Sequence, residues 1–569
     1  MKKIFTLFAA IIFSLNGFSQ APNWLWQKSI GDTSSCSGIS IAVDVLGNVY
    51  TAGYFYGAVD FDPGPGAFTV VSLGTNDVFI SKVDDAGNFL WAKSFGGTFI
   101  DQPWSMALDA SGNIFITGKV FSVLVDFDPG ADTFNLTGGR CFISKLDSAG
   151  NLIWAKRFDA HECYAMAVDT SGSCDVYVTG SFSGIVDFDP NAGVSNLTAL
   201  GGYDIFISKF DSAANFVWAK RMGSTSTSFE SGRSIAVDPS GSGNIYTTGI
   251  FFETVDFDPD TGVFNLYAVG SEDIFISKFD ASGNFIWAKA FGGLYQAIVY
   301  SIACDPAGSG AVYTSGYFSG TTDFDPGIGV FNLISGGPNN IFISKLDATG
   351  NFVWAAGFGS ASGGIGRSIR VDASGNVFST GTCTGITDFD PEAGVFNLTG
   401  KGIFISKLSA SGNFVWAKFV AAPGAGSTQG ESIAFGSFGN VHVTGSFSSH
   451  YAYFDSDTLI NIDSSNSSNM FIAKLDTLVT GISEKENSHS STTLSPNPFH
   501  ETATLTINTN KIQEGTIEIK NILGAAVQQP KHFTGNTIKL QRNNLPAGIY
   551  FYRITTKEGM SMNGKFIID

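Results

Sequence analysis

The densest chemistry-bearing pattern in this sequence is Asp-Phe-Asp-Pro, which begins at Asp60, Asp126, Asp187, Asp256, Asp323 and Asp388. In extended chain, residues i and i+2 face the same way. Each copy therefore sets two carboxylates side by side: Asp60 with Asp62, Asp126 with Asp128, Asp187 with Asp189, Asp256 with Asp258, Asp323 with Asp325, and Asp388 with Asp390. Like charges repel, and calcium would offset them, since it takes about six to eight oxygens. The copy at Asp256, with Asp260 as a third acid and Gly262 after it, comes nearest to a calcium loop, but the full D-x-D-x-D-G pattern and a closing Glu are missing. A structural role is the alternative. A neighbouring Lys from the repeated F-I-S-K or F-I-A-K element (Lys82, Lys145, Lys209, Lys278, Lys345, Lys407, Lys474) would balance the first Asp, the second would bond backbone amides, and Phe would fill the core. Repetition favours this reading, because an active site usually occurs once.

Function is expected among residues that do not repeat. Asp101, Trp104, His161, Glu162, Tyr164, Glu230, Arg233, Tyr295, Tyr300, Arg367 and Glu431 all fall between a tryptophan strand and the next Ser-Ile-Ala-type strand. The position just before that strand reads Ile39, Trp104, Tyr164, Arg233, Tyr300, Arg367, Glu431. Mixed aromatic and charged side chains suit a glycan or peptide, so Trp104, Tyr164, Arg233, Tyr300, Arg367 and Glu431 are the candidate ligand residues; ordinary variable loops are the alternative. Catalytic signals are weak. The sequence holds no G-x-S-x-G elbow, H-E-x-x-H helix or phosphate-binding G-x-x-x-x-G-K-[ST] loop. His161-Glu162-Cys163 offers a base beside a thiol, but adjacent strand residues point to opposite faces. His442 and His450 have no recognisable metal spacing.

These residues must be positioned by a repeat. Tryptophan recurs at Trp26, Trp91, Trp154, Trp218, Trp287, Trp354 and Trp416, mostly as W-A-K. The F-I-S-K element starts at Phe79, Phe142, Phe206, Phe275, Phe342 and Phe404, then appears as F-I-A-K at Phe471. Alternating stretches such as Ser40-Ile41-Ala42-Val43 predict strands, and D-x-S-G-N segments such as Asp109 to Asn113 predict hairpin turns. Each unit thus holds four antiparallel strands and an excursion carrying D-F-D-P. The first tryptophan strand has no F-I-S-K before it, and the last F-I-A-K has no tryptophan strand after it. Pairing these two leftovers closes a ring and removes two bare edges, which a solenoid would keep. The units resemble the bacterial seven-bladed β-propeller repeat family in their D-x-x-G-N-x-Y-x-T-G and W-A-K motifs. The resemblance implies the fold and leaves function open.

Composition bounds the partners. The chain has 569 residues, 32 Lys plus Arg against 50 Asp plus Glu, and a net charge of −18. No basic cluster is visible, which argues against nucleic acid. Lys2 and Lys3, an apolar run over residues 4–15, and small residues at Gly17 and Ser19 read as a signal peptide over 1–19, cut between Ser19 and Gln20. No later apolar run is long enough to span a bilayer. Six cysteines do not recur at matching positions. Cys163 and Cys174 are the closest pair, yet they should lie near opposite ends of a hairpin, and no dense framework demands a bridge.

The propeller is expected over 20–476, and a polar, Ser-rich linker over 477–493. Residues 494–569 read as a small β-sandwich of short alternating strands. Its marks are Pro496-Asn497-Pro498, the strand Gly548-Ile549-Tyr550-Phe551-Tyr552, and the closing Gly564-Lys565-Phe566. This segment resembles the type A C-terminal sorting domain of the type IX secretion system. That resemblance implies the secretion machinery and its sorting protease as partners, removal of the domain, and release or attachment at the cell surface. The chain is therefore expected to be all-β: a seven-bladed β-propeller closed by its N-terminal strand, then an Ig-like sandwich. A secreted, non-enzymatic binding role with an unknown glycan or protein ligand is expected, with no certain cofactor beyond calcium as a candidate. A polysaccharide hydrolase or lyase in the channel, or a passive coat component, are the alternatives.

Overall fold

The computed structural model describes residues 22–31, 34–424, 426–436, 439–462, 467–476, 491–508, 514–521, 526–557 and 561–568. The expected signal peptide, with Ser19 and Gln20, and most of the expected linker lie outside the described residues. The chain divides into two compact units between Leu478 and Val479. Its elements are strands, and among the described residues no α-helix forms.

The first unit repeats one antiparallel meander. Cys36–Val43, Val49–Phe55, Asp77–Val83 and Phe89–Phe95 pair in that order as a four-stranded sheet. The same order recurs in sheets that begin with Asp101–Leu108, Glu162–Val168, Ser231–Val237, Ala297–Cys304 and Gly364–Val371. The sheet that begins with Thr428–Phe435 is completed from the other end of the unit. Its outer strand is Trp24–Ile30, which pairs antiparallel with Asn469–Leu475 from Ile30 against Met470 to Trp26 against Lys474. The first strand of each sheet packs on the first strand of the next, and Thr428–Phe435 packs back on Cys36–Val43. The sheets therefore close on themselves.

The core lies between neighbouring sheets. One cluster joins Tyr50, Val78 and Ile80 of the first sheet to Met106, Ile114 and Ile116 of the second. The repeated motifs hold this stack. Trp218 Nε1 and Lys209 Nζ, on adjacent strands of one sheet, both donate to the carbonyl of Ala281 in the next sheet's hairpin turn, at 3.4 and 3.2 Å. Trp287 with Lys278 does the same at Ala348, and Trp354 with Lys345 at Ala410. Gly283 lies in that same turn at φ 81°, and a Cβ there would sit 3.0 Å from the Trp218 ring. Glycine accepts both that backbone and that contact without strain, although the equivalent turn of the preceding sheet holds Ala214 at φ 63°. Asp280 Oδ1 accepts the amides of Ser282 and Asn284 at 2.8 and 2.9 Å and shapes the turn.

One expectation is corrected here. The F-I-S-K lysines do not balance the D-F-D-P carboxylates. Several face Asp residues of the inner hairpin turns instead, as in Lys209–Asp175 at 2.8 Å, Lys145–Asp109 at 3.6 Å and Lys82–Asp44 at 3.9 Å, while Lys474 pairs with Asp85 in the outer turn of the next sheet. The reason is register: Tyr177 pairs directly with Lys209, so the lysine crosses an aromatic ring toward the turn that precedes it. Cys163 and Cys174 stay unbridged to each other, as their places on one hairpin imply, but a bridge that the sequence did not single out forms. Cys141 bridges Cys163, with Cα atoms 5.7 Å apart, while Cys174 is free. The bridge ties the third strand of one sheet to the first strand of the next. Neighbouring sheets bring those two residues together across 22 positions.

The second unit holds two antiparallel sheets. One orders Ser491–Ser495, Thr502–Asn508 and Thr537–Gln541; the other orders Lys531–Thr534, Glu514–Lys520, Gly548–Thr556 and Ser561–Ile568. Alternate residues of both sheets, including Leu505, Ile507, Ile517, Ile538, Tyr552 and Ile554, share one buried core.

Candidate ligand-binding site

Every innermost strand of the first unit carries a β-bulge, and the bulge falls on the variable position. Pairing slips between Gly38 and Ser40, Pro103 and Ser105, Cys163 and Ala165, Gly232 and Ser234, Val299 and Ser301, Gly366 and Ser368, and Gly430 and Ser432. The unpaired residues are Ile39, Trp104, Tyr164, Arg233, Tyr300, Arg367 and Glu431. A bulge inserts one residue that opposes nothing on the partner strand and re-aims its side chain. Here all of them line one central cavity of about 420 Å³.

Around the cavity these side chains interlock. The Trp104 and Tyr164 rings are 6.1 Å apart, and the Arg233 guanidinium lies 4.6 Å from the centre of Tyr164. The Arg367 guanidinium lies 4.5 Å from the centre of Tyr300, with its Nε 4.0 Å from Glu431 Oε2. Burial pushes the Glu431 carboxyl above its ordinary range, and Arg367 pulls it back. Burial likewise raises the Tyr164 hydroxyl. The Trp104 indole N–H is buried and has no hydrogen-bond partner among the described residues.

Below this girdle runs a belt of serines. Ser40 Oγ accepts the amide of Met106 at 3.2 Å, Ser234 that of Ile302 at 3.2 Å, Ser301 that of Ile369 at 3.2 Å, and Ser368 that of Ile433 at 3.3 Å. Each bond crosses from one sheet to the next. Two positions beyond each serine the repeat places Ala, as at Ala107, Ala236 and Ala303, but the sixth sheet places Arg370 there. Arg370 lines the same cavity, and its Nη1 donates to the carbonyl of Ile369 at 2.8 Å. Sequence reasoning passed over both features. The departure of Ser-Ile-Arg-Val from Ser-Ile-Ala-Val was the available signal for Arg370.

Other candidates lie outside this cavity. Asp101 is buried and accepts the amides of Gly97 and Phe121. Glu230 accepts from Ser224 Oγ at 2.8 Å, and burial pushes its carboxyl up to about 8. Glu162 pairs with Lys119, His161 packs on Tyr203 and Phe229, and Tyr295 is exposed. Cys163 is bridged, so the His161-Glu162-Cys163 run carries no thiol.

The D-F-D-P carboxylates are wired into their own loops. Asp323 Oδ1 accepts the amides of Asp325 and Phe331 at 3.0 and 2.8 Å, and Asp325 Oδ1 accepts that of Gly327 at 2.8 Å. The first Asp makes the same pair of bonds at Asp60, Asp126, Asp187, Asp256 and Asp388, and the second bonds the next turn amide at Asp62, Asp128, Asp189, Asp258 and Asp390. Asp260 instead faces Lys220 at 2.5 Å. The Phe between them is buried against the F-I-S-K Phe, as in Phe324–Phe342 with ring centres 5.0 Å apart. Among the described residues no group of three or more His, Cys, Asp or Glu is placed to hold a metal ion.

In the second unit, the Pro496-Asn497-Pro498 segment meets the closing strand. Asn497 Oδ1 accepts the amide of Ile567 at 2.8 Å, and the Tyr550 and Phe566 rings stack 5.6 Å apart. The Tyr550 hydroxyl donates to the carbonyl of Pro546 at 2.8 Å. Gly548 pairs with Ile568, Tyr552 with Gly564 and Phe551 with Lys565. Residues 493–569 match the family described as the secretion system C-terminal sorting domain. This segment is a C-terminal sorting domain. The sorting domain marks the chain for export out of the cell through the type IX secretion system. The chain is also 23% identical over 518 residues to an uncharacterized WD repeat-containing protein of Acanthamoeba polyphaga mimivirus, a match covering 76% of this chain and 36% of that protein. It is 24% identical over 199 residues to the regulatory protein FlaEY of Caulobacter vibrioides, covering 33% of this chain and 20% of FlaEY. The chain thus spans little more than a third of the first of these relatives and a fifth of the second. Among solved structures, Sqt1 from Chaetomium thermophilum is 11% identical, with 80% of this chain and 98% of Sqt1 covered at a TM-score of 0.37. A protein of unknown function from Dyadobacter fermentans is 12% identical, with 80% and 99% covered at a TM-score of 0.34. In the described residues no helix is long and apolar enough to cross a membrane.

Proposed function

We propose that the exported protein is a non-enzymatic binding module, a seven-bladed β-propeller that takes its ligand at the mouth of the central channel, followed in sequence by an Ig-like sorting domain. The observation that carries this reading is the convergence of the bulge residues. A structural stack needs no variety at that position, yet aromatic, cationic and acidic side chains meet there around one cavity. A concave site with aromatic walls and a few placed polar groups is the general form of a ligand pocket. Glu431 is the single carboxylate among the cavity's lining residues, and Arg367 engages it. Glycoside hydrolysis commonly needs two carboxylates facing one bond, which supports a binding role over a catalytic one.

The test is binding of the exported protein to an array of polysaccharides, host glycans and surface proteins. A Trp104→Ala, Tyr300→Ala double variant serves as the comparison. Selective binding that the double variant loses supports the reading. Binding that survives in the double variant moves the site elsewhere, and turnover of a bound polysaccharide overturns the non-enzymatic assignment.

A further inference from the structure

We infer that the channel binds an anionic sugar, one bearing a carboxylate or a sulfate ester, and that Arg370 anchors the charged group. This rests on the channel being a ligand site and names what enters it. The chain as a whole is acidic, with 32 Lys plus Arg against 50 Asp plus Glu. The cavity has the opposite balance: its lining holds Arg233, Arg367 and Arg370 against Glu431 alone.

Arg370 is the sharpest departure. The equivalent residue is Ala42, Ala107, Ala167, Ala236, Ala303 and Ala434 in the other sheets. Burial depresses its pKa, and no carboxylate offsets that effect among the described residues. Among the described residues its guanidinium makes one hydrogen bond, to the Ile369 carbonyl at 2.8 Å, which leaves most of its five donors for something else. Arginine stays charged and its planar fork matches carboxylate and sulfate oxygens in pairs. A half-buried guanidinium, placed where the repeat carries only a methyl group, is stabilised when an anion meets it.

The surrounding chemistry favours a sugar over an acidic peptide. A peptide that adds to a sheet edge pairs with free strand amides. At this level the amides of Met106, Ile302, Ile369 and Ile433 already donate to serine hydroxyls of the neighbouring sheets. The cavity is instead walled by the Trp104, Tyr164 and Tyr300 rings, the two tyrosines each with an arginine against the ring, and an aromatic face's negative quadrupole attracts the C–H face of a pyranose. The unpartnered Trp104 indole N–H supplies a donor for a ring hydroxyl. At about 420 Å³ the cavity falls in the range of small-ligand sites, roughly 300–1,000 Å³.

The experiment is calorimetric titration of the full chain with four probes: an oligogalacturonide, its methyl-esterified form, a sulfated oligosaccharide and an oligoglutamate peptide. Each is repeated with Arg370→Ala, which restores the residue of the other repeats and so keeps the fold. The expected result is that the uronate or the sulfated sugar binds, and the arm that responds identifies the anion. Esterification and Arg370→Ala are each expected to weaken binding at least tenfold, and rising salt to weaken it further. Equal binding of charged and esterified sugar, or no change in Arg370→Ala, overturns the inference while leaving the channel as a binding site. Oligoglutamate binding without sugar binding overturns the sugar. Silence from all four overturns the inference, and silence across the wider array removes the binding reading as well.

Discussion

The hydroxyl of Ser432 accepts the backbone amide of Ile41 at 3.3 Å, joining residues 391 positions apart. It is the same bond that the serine belt makes between consecutive sheets, and here it joins the last sheet to the first. The outer edge closes by a second device, the pairing of Trp24–Ile30 with Asn469–Leu475. Deleting residues 20–30 leaves Asn469–Leu475 as a bare edge. Loss of the cooperative melt, or association seen by size-exclusion chromatography, is the expected outcome. A monomer with an unchanged melting temperature would show that the closing strand is dispensable.

The D-F-D-P loops are predicted to act as structural wedges. Phe324 is fully buried between Phe291, Phe318 and Phe342. Phe324→Ala is expected to cost about 3–5 kcal/mol. Ile328→Ser, four residues on and fully exposed, should change nothing measurable. Urea unfolding of both variants checks the contrast.

The carboxylates of those loops answer to backbone amides. Asp323→Ala strips two amides of their acceptor and should destabilise by about 1–3 kcal/mol. A calcium chelator should leave the melting temperature of the parent protein where it was. A fall of several degrees on chelation, restored by calcium, would instead make these loops metal sites.

Stability should fall as pH rises through neutrality. Burial lifts the Glu230 carboxyl from 4.5 to about 8, and Asp77 from 3.8 to about 6. Both groups hold their proton more tightly folded than unfolded. Their contribution is complete below the unfolded values and disappears as pH passes the folded ones. The melting temperature is thus expected to drop between about pH 4 and pH 8 from this source. Glu230→Gln, which keeps the Ser224 bond, should flatten the upper part of that slope. An unchanged profile in this variant would assign the slope to other groups.

Of the six cysteines, Cys36, Cys174, Cys304 and Cys383 are free. Alkylation under denaturing, non-reducing conditions should label these four and leave Cys141 and Cys163 unmodified. Replacing the bridged pair with serine is expected to destabilise by about 2–4 kcal/mol. Labelling of all six would show that the bridge does not form in the exported protein.

The sequence by itself determined the all-β class, the strand repeat and the sorting domain. These rest on local periodicity, on turn chemistry such as that at Asp280 and Gly283, and on short motifs such as Pro496-Asn497-Pro498. The unmatched tryptophan strand and F-I-A-K strand at the two ends pointed to their pairing. Tertiary structure alone decided where side chains go when they leave the regular pleat. Alternation cannot place Trp104 or Arg367, because a bulge breaks the period at that residue. Nor can sequence show that Lys209 and Trp218 share the Ala281 carbonyl, or that Cys141 meets Cys163, since both depend on how one sheet stacks on the next. Arg370 shows the division most clearly. Its departure from the repeat was visible in the letters, but that it shares a cavity with Arg367 of its own strand and Arg233 of another depends on how separate sheets meet around that cavity.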